Sequence, residues 1–449
     1  MRTKHWRSLV VSVIVLFSIL TASRKATGQT LSCKQFQVAL CVDSANTSGW
    51  SGSDIGGWIN SAYAALPTPP NGSSTNGPVG KIIVVPNANG GAYHFSTPIS
   101  LSTSGKPVQV DFQGALLNYT GASGTAITLD WGQGFQEEGG MWNLKLTGPC
   151  TTTECAGVTA IGINLGPSNG FVGGFLTNVD VGQNGGTAGF YIGIKDNANT
   201  AYIWTCNNCI ATGNNIGYDA FSNSGVVWNG GGISQNVTGV SGAYDLVLNR
   251  TTFGDNGTAI SGGGSIVLNG VHMENISLPP TFISNSGNLD VVMVGGIMQE
   301  DSPSGSATCY ICAGATGQFF LNVYGTAVYS GGMKVTDIVQ SNASVGAFNL
   351  QFVYQGGNSQ PGGGIITNEL EQTGNLPYYS SSVSVDGYPL AARVLPVTKV
   401  AYLPSASSYP GAMAYVTDST AISAEGQACS GGSSNKALAF SNGSVWKCF

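Results

Sequence analysis

Leu246-Val-Leu-Asn249-Arg-Thr-Thr-Phe-Gly-Asp-Asn256, Ile266-Val-Leu-Asn269-Gly-Val-His-Met-Glu-Asn275 and Val291-Val-Met-Val294-Gly-Gly-Ile-Met-Gln-Glu300 rhyme with one another. Each has an apolar triplet, a polar or small corner, a second short run and a polar stop. Asn249 and Asn269 are 20 residues apart, and Val294 follows 25 later. Upstream, Val226-Val-Trp-Asn229 sits 20 residues before Asn249, and its run ends at Asn236. Ile203-Trp-Thr205, Phe175-Leu-Thr-Asn178 and Phe320-Leu-Asn322 are looser copies. A unit of 20 to 28 residues is too small to bury its own apolar face, so it must stack on its neighbours. The runs are short, rich in Val, Ile, Leu and Phe, and lack helical spacing, so they read as strands. Strands at this period without intervening helices predict a parallel β-helix. The recurring Asn fits a turn, where its side chain bonds its own backbone and tolerates the left-handed region. Stacked coil on coil, it would form an amide ladder. An antiparallel β-sandwich with Gly-rich loops is the alternative.

The totals agree with a turn-rich β protein. Among 449 residues, 66 are Gly, 42% are hydrophobic and only 8% are charged. That hydrophobic content excludes wholesale disorder. Residues 1–28 resemble a secretory signal: Arg2, Lys4 and Arg7 are the basic start, Ser8 to Leu20 the apolar run, and Ala26-Thr-Gly28 the cleavage site. The apolar run of 13 is short for a bilayer span, although an uncleaved anchor is the other reading. No later stretch reads as a membrane span. Without the signal, 11 basic residues face 22 acidic ones, a net charge of −11. This disfavours nucleic acid and polyanionic sugars.

The ten Cys fall into close pairs: Cys33/Cys41, Cys150/Cys155, Cys206/Cys209, Cys309/Cys312 and Cys429/Cys448. Behind a signal they read as loop-stapling disulfides. The CxxC spacing of Cys206/Cys209 and Cys309/Cys312 keeps zinc or redox chemistry as a second reading.

One helix is predicted, over about 52–66, capped by Ser53 or Asp54, with Ile55, Trp58, Ile59, Ala62 and Leu66 on one face. A Pro/Gly/Ser loop follows, then Lys81-Ile-Ile-Val-Val-Pro86, Tyr93-His-Phe, Thr97-Pro-Ile-Ser-Leu101, Val108-Gln-Val and Gly114-Ala-Leu-Leu. This succession, over about residues 43–130, resembles the opening of pectate-lyase-superfamily proteins. The resemblance implies a right-handed, pectin-lyase-like parallel β-helix whose open first coil is covered by the helix. It does not fix a function, because that fold carries lyases, hydrolases, epimerases, tailspikes and adhesins. The predicted organisation is a signal (1–28), a β-helix domain (29–395) and a small disulfide-stapled β module (396–449). Asn442-Gly443 marks a tight turn in the last of these. Insertions at 147–157 and 302–314 carry Cys pairs and are places for binding loops.

Glycoside hydrolysis needs two carboxyls. Counting from the repeat, stacking brings Asp255, Glu274 and Glu300 to one corner, with Asp301, His272 and Arg250 beside them. Crowded like charges raise a pKa and can supply a general acid. The alternatives are a solvated turn row and a calcium site. Polygalacturonase-like hydrolases carry Asn-Thr-Asp, Asp-Asp, Gly-His-Gly and Arg-Ile-Lys. Only Asn178-Val-Asp180 faintly matches the first, and the other three are missing. For lyase chemistry, Arg250 is the one plausible base. Trp204 and Trp228 read as core, whereas Trp50, Trp131, Trp142 and Tyr379 would serve as sugar platforms if exposed. Several glycosylation sequons occur, including those at Asn118, Asn236, Asn256 and Asn275. The expectation is a secreted protein that binds or cleaves extracellular polysaccharide. A non-catalytic adhesion or tailspike-like protein, in some cases trimeric, is the main alternative.

Overall fold

The computed structural model describes residues 40–67, 79–132, 139–183, 188–197, 201–220, 225–275, 281–285, 287–300, 306–314, 317–330, 334–341, 345–354, 366–372, 378–385, 388–389, 397–403, 405–408, 413–420 and 427–449. The expected signal, Cys33, Asp301 and much of the 355–396 stretch lie outside them. The described chain is almost all strand, and nearly every strand pairs in parallel with the strand one coil later. One core column runs Val110, Met141, Leu176, Cys206, Trp228, Leu248, Leu268, Met293. Parallel pairing of successive coils makes a β-solenoid and excludes the antiparallel sandwich over these residues.

Each coil contributes to three faces. Face A includes Thr205–Asn207, Val226–Asn229 and the ends of Thr238–Asn249 and Thr258–Asn269. Face B follows a tight turn and includes Ile210–Thr212, Gly232–Ser234, Thr252–Gly254 and His272–Asn275. Face C includes Ile161–Leu165, Ile192–Asp196, Ile216–Ala220 and Thr281–Asn285. Between the faces lies a core with Trp131, Phe171, Trp204, Tyr218 and Trp228 stacked in turn, centroids 5.3, 6.3, 5.8 and 5.6 Å apart. Trp204 and Trp228 are core, as expected. Trp131 is fully buried too and is no sugar platform.

Between faces B and C runs a second set of asparagines that the sequence reading took for stops and sequons. Asn214, Asn236 and Asn256 are buried. Asn236 Oδ1 accepts the Asn214 N–H at 2.9 Å, and Asn256 Oδ1 accepts the Asn236 N–H at 3.1 Å. Each side chain also donates to the preceding coil, Asn236 Nδ2 to Ala211 O at 3.0 Å and Asn256 Nδ2 to Ile233 O at 2.7 Å. This inner ladder satisfies buried backbone groups that the turn leaves unpaired. It packs on Gly193, Gly217 and Gly239. A Cβ on Gly217 would stand 2.7 Å from the Gly239 carbonyl and 2.9 Å from Asn236 Nδ2, so only glycine fits.

The helix α1 spans Ile55–Ala65 and buries Ile55, Ile59, Ala62 and Tyr63. Asp54 is its N-cap, accepting from Gly57 N at 3.1 Å and from Ser96 N and Thr97 N at 2.9 and 3.0 Å. Burial alone would push this carboxyl up, but the three backbone N–H groups outweigh it and hold it low. Asn60 clamps the first coil through Pro98 O and Ser100 N. The C-terminal strands Met413–Ser419, Asn435–Ser441, Trp446–Cys448 and Gln427–Ala428 pair antiparallel. Val397–Thr398 pairs in parallel with both Glu371 and Tyr415–Val416, joining this sheet to the solenoid.

Cys150–Cys155, Cys206–Cys209, Cys309–Cys312 and Cys429–Cys448 are disulfides. Both CxxC pairs are therefore closed local rings on separate coils. Cys41 is also disulfide-bonded. Among the described residues no helix is long and apolar enough to cross a membrane.

Candidate functional site

The turn from face A to face B positions the site. Its corner residue adopts the left-handed conformation in coil after coil: Asn143 (φ 56°), Asn178 (φ 52°), Asn208 (φ 53°), Gly230, Arg250 (φ 52°) and Gly270. Asparagine and glycine suit this region, and arginine does not. The corner N–H donates to the next coil: Asn208 N to Asn229 O at 2.7 Å, Arg250 N to Asn269 O at 2.8 Å. Two outer amide ladders result. Asn178 Nδ2 donates to Asn143 Oδ1 at 3.2 Å, and Asn208 Nδ2 to Asn178 Oδ1 at 2.9 Å. One position earlier in the turn, Asn229, Asn249 and Asn269 each donate to the ladder residue before them, Asn207, Asn229 and Asn249. The expected Asn249/Asn269 stacking is therefore present. Successive partners are 35, 30, 22, 20 and 20 residues apart, so early coils are long and later ones short.

Where the long coils stack, the corner opens into a groove of about 590 Å³, lined chiefly by Gln113, Asn143, Lys145, Asn178, Asp180 and Asn208. Lys145 and Asp180 are register partners on adjacent coils. Burial pushes the Asp180 carboxyl up, and Lys145 pulls it partly back. Beyond the groove, Asp111 accepts from Lys81 Nζ at 3.4 Å, Gln113 N at 3.1 Å, the Gln113 side chain and Asn143 Nδ2 at 3.2 Å. That carboxylate is committed to holding the turn. Lys81 also lies 4.6 Å over the Trp142 ring, and Phe175 packs against Trp142 at 5.6 Å. Trp142 is thus partly covered rather than an open platform. Asp219 on face C is likewise pushed up by burial, with Lys195 and Ser241 pulling it down, but it does not line this groove.

The acids expected to stack fall in different columns. Glu274 is in register with Gly254 and Gln299, and Glu300 with Asn275. Asp255 is a left-handed corner residue (φ 51°), one position beyond Gly254, and its N–H donates to the Glu274 carbonyl at 2.9 Å. The count from each ladder asparagine differs by one, six to Asp255 and five to Glu274. A one-residue slip moves a side chain off the shared face. Asp255 and Glu274 are therefore neighbours but not a stacked pair, and the Glu300 side chain and Asp301 lie outside the described set. His272 shares an outward face with Glu274, Nε2 to Oε2 3.8 Å. Arg250 is held at the corner two residues before Thr252, the register partner of His272. Among the described residues no three His, Cys, Asp or Glu side chains converge on a cation position, so the calcium reading gains no ligand set.

Other expectations sort by burial. Trp50 is half-buried and donates Nε1 to Cys41 O at 2.7 Å. The Tyr379 side chain lies outside the described set. Asn236, Asn256 and Asn275 are buried, which closes them to glycan transfer in the folded chain, whereas Asn118 is half-buried.

Lys145, Asn143 and Asn208 were missed, and Asp180 was noted only in the faint Asn178-Val-Asp180 match. One signal was available. Asn143-Leu-Lys145 and Asn178-Val-Asp180 place a charge two residues after a ladder asparagine, which puts both charges on the outward side of face B. Neither a known protein-family model nor a curated protein matches this chain.

Proposed function

We propose that this chain is an extracellular protein, wound as the right-handed β-helix its opening resembles, that binds a neutral polysaccharide in the groove between faces A and B. The observation that carries this reading is the row Asn143, Asn178, Asn208 lining an open groove beside one lysine and one carboxyl. Each amide presents both donors and an acceptor, and the ladder uses only part of that capacity. Sugar hydroxyls need such mixed partners. The excess of acidic over basic residues speaks against polyanionic chains. Four disulfide-stapled loops, with Cys41 disulfide-bonded as well, suit an oxidising, extracellular setting.

Cleavage is a second reading, favoured by the raised pKa of Asp180, which suits a general acid. Hydrolysis also needs a second carboxyl. Asp111 is tied up, and Glu274 stands four rungs from Asp180, about 19 Å, too far to act with it, so cleavage would have to come from the Asp255, Glu274, Glu300 and Asp301 group alone. The test is retention of the mature protein on a panel of immobilised neutral and acidic polysaccharides, with Lys145→Ala in parallel and reducing ends assayed in the eluate. Retention on neutral chains that Lys145→Ala abolishes supports binding. New reducing ends that disappear in Glu274→Gln support cleavage. No retention on any chain contradicts both.

A further inference from the structure

The C-terminal antiparallel sheet carries its apolar side chains the opposite way from a free-standing module. Its inner face buries Ala414, Val416, Ala437, Ala439 and Cys448, packed on Val400 and Leu403. These are small residues. The larger apolar residues stand on the outer face, in two cross-strand rows. Met413 is in register with Phe440, and Phe440 with Lys447. Tyr415 is in register with Leu438. Leu438 in turn exchanges both backbone hydrogen bonds with Phe449, at 3.2 and 2.8 Å. Residues directly opposed on neighbouring strands share a face, so Met413, Tyr415, Leu438, Phe440 and Phe449 form one patch. Met413, Phe440 and Phe449 are 44, 37 and 48% exposed, and Val445 in the adjoining turn is 41% exposed. Single exposed apolar residues need no explanation, but a contiguous patch marks an interaction surface. A sheet that hides alanine and shows phenylalanine is shaped for a partner.

Charge selects the partner. Lys447 ends the first row, and Lys436 lies two residues before Leu438 on the same side of its strand. Asp418, the one acid among the described residues of the module, is occupied by the Val400 N–H at 2.7 Å. Residues 397–449 hold three lysines, no arginine and two acids, whereas the chain without its signal holds 11 basic and 22 acidic residues. A second copy of the patch would bring lysines toward lysines with no carboxylate to meet them. A carboxylate on another protein is best met by the arginine fork, which the module lacks, whereas lysine serves a phosphate as a point charge. We infer that this face docks the protein onto a lipid surface bearing anionic phosphate headgroups. Met413, Phe440 and Phe449 enter the boundary between headgroups and acyl chains, and Lys436 and Lys447 meet the phosphates. The contact is peripheral, made by a few side chains of one sheet, and it shares no residue with the glycan groove.

The experiment is co-sedimentation of the full mature chain with vesicles of phosphatidylcholine alone and of phosphatidylcholine with about one-third phosphatidylglycerol. Its oligomeric state is measured alongside by analytical ultracentrifugation. Partitioning onto the anionic vesicles is expected to exceed that onto the neutral ones about tenfold or more, and to fall as salt rises. Phe440→Ser is expected to lower it about tenfold. Lys436→Gln, at an exposed position, is expected to lower it about fivefold on anionic vesicles only, and it keeps the test decisive if the serine variant misfolds. No pelleting with either vesicle, or equal pelleting with both, would overturn the proposal. So would a dimer that Phe440→Ser disperses, because the face would then belong to a second copy of the chain.

Discussion

Asparagine ladders of two kinds, outer and inner, run along this solenoid, and they differ in what surrounds them. The outer ladders, Asn143–Asn178–Asn208 and Asn207–Asn229–Asn249–Asn269, stand half in water at the corner of faces A and B. The inner ladder, Asn214–Asn236–Asn256, is buried on a column of glycines. Residue type is the same, and from Asn207 onward the coil spacing, 22 and then 20 residues, is the same too. An exposed amide that loses its partner takes water instead, whereas a buried one leaves several groups with nothing. The inner ladder is therefore fixed by folding, and the outer ladder is free to serve a ligand.

The comparison can be broken most severely at Asn236. Asn236→Ala strands the Asn214 N–H and the Ala211 carbonyl in the interior. A loss of about 3 kcal/mol or more is expected in urea unfolding. Gly217→Ala forces a methyl against the Gly239 carbonyl and the Asn236 amide. About 1–3 kcal/mol of destabilisation is expected from the same assay. Asn249→Ala removes an outer rung at a half-exposed corner, and the loss should stay below about 1 kcal/mol. An outer loss as large as that at Asn236 would refute the distinction between the ladders.

Asp180 sharpens the comparison from the functional side. Its folded pKa is raised, chiefly by burial, so the native state binds the proton more tightly than the unfolded chain does. The stability this group contributes is full below the ordinary carboxylate value of about 4, and is lost as pH rises through the raised pKa. Asp180→Asn should therefore raise the urea midpoint at neutral pH and barely change it near pH ~3. Water screens this partly exposed carboxyl, so the gain should lie within about 1 kcal/mol. A neutral-pH loss would mean that Asp180 is structural.

The fold was legible where coils are short. Between Asn229 and Asn269 the 20-residue repeat brings apolar triplets and ladder asparagines into step, and the strands follow. The inner ladder was hidden because Asn236 and Asn256 end runs that alternate apolar and polar, where a polar residue reads as solvent. Their burial depends on the glycines one coil away, a tertiary contact. The groove was hidden because Asn143 and Asn178 are 35 residues apart, so loop insertions broke the period that led to the other coils. The acids do not stack for a local reason: Asp255 lies six residues past its ladder asparagine and Glu274 five, so Glu274 falls in register with Gly254 and Asp255 one position beyond it.

The most direct test of the account is glycan binding by Asn178→Gly beside the unaltered protein. Glycine suits the left-handed corner at φ 52°, so the substitution removes the amide without straining the turn. The melting temperature should stay within about 3 °C, and retention on neutral polysaccharide should be lost. A variant that folds as well and binds as tightly as the unaltered chain would contradict the central claim that the outer ladder is the binding surface.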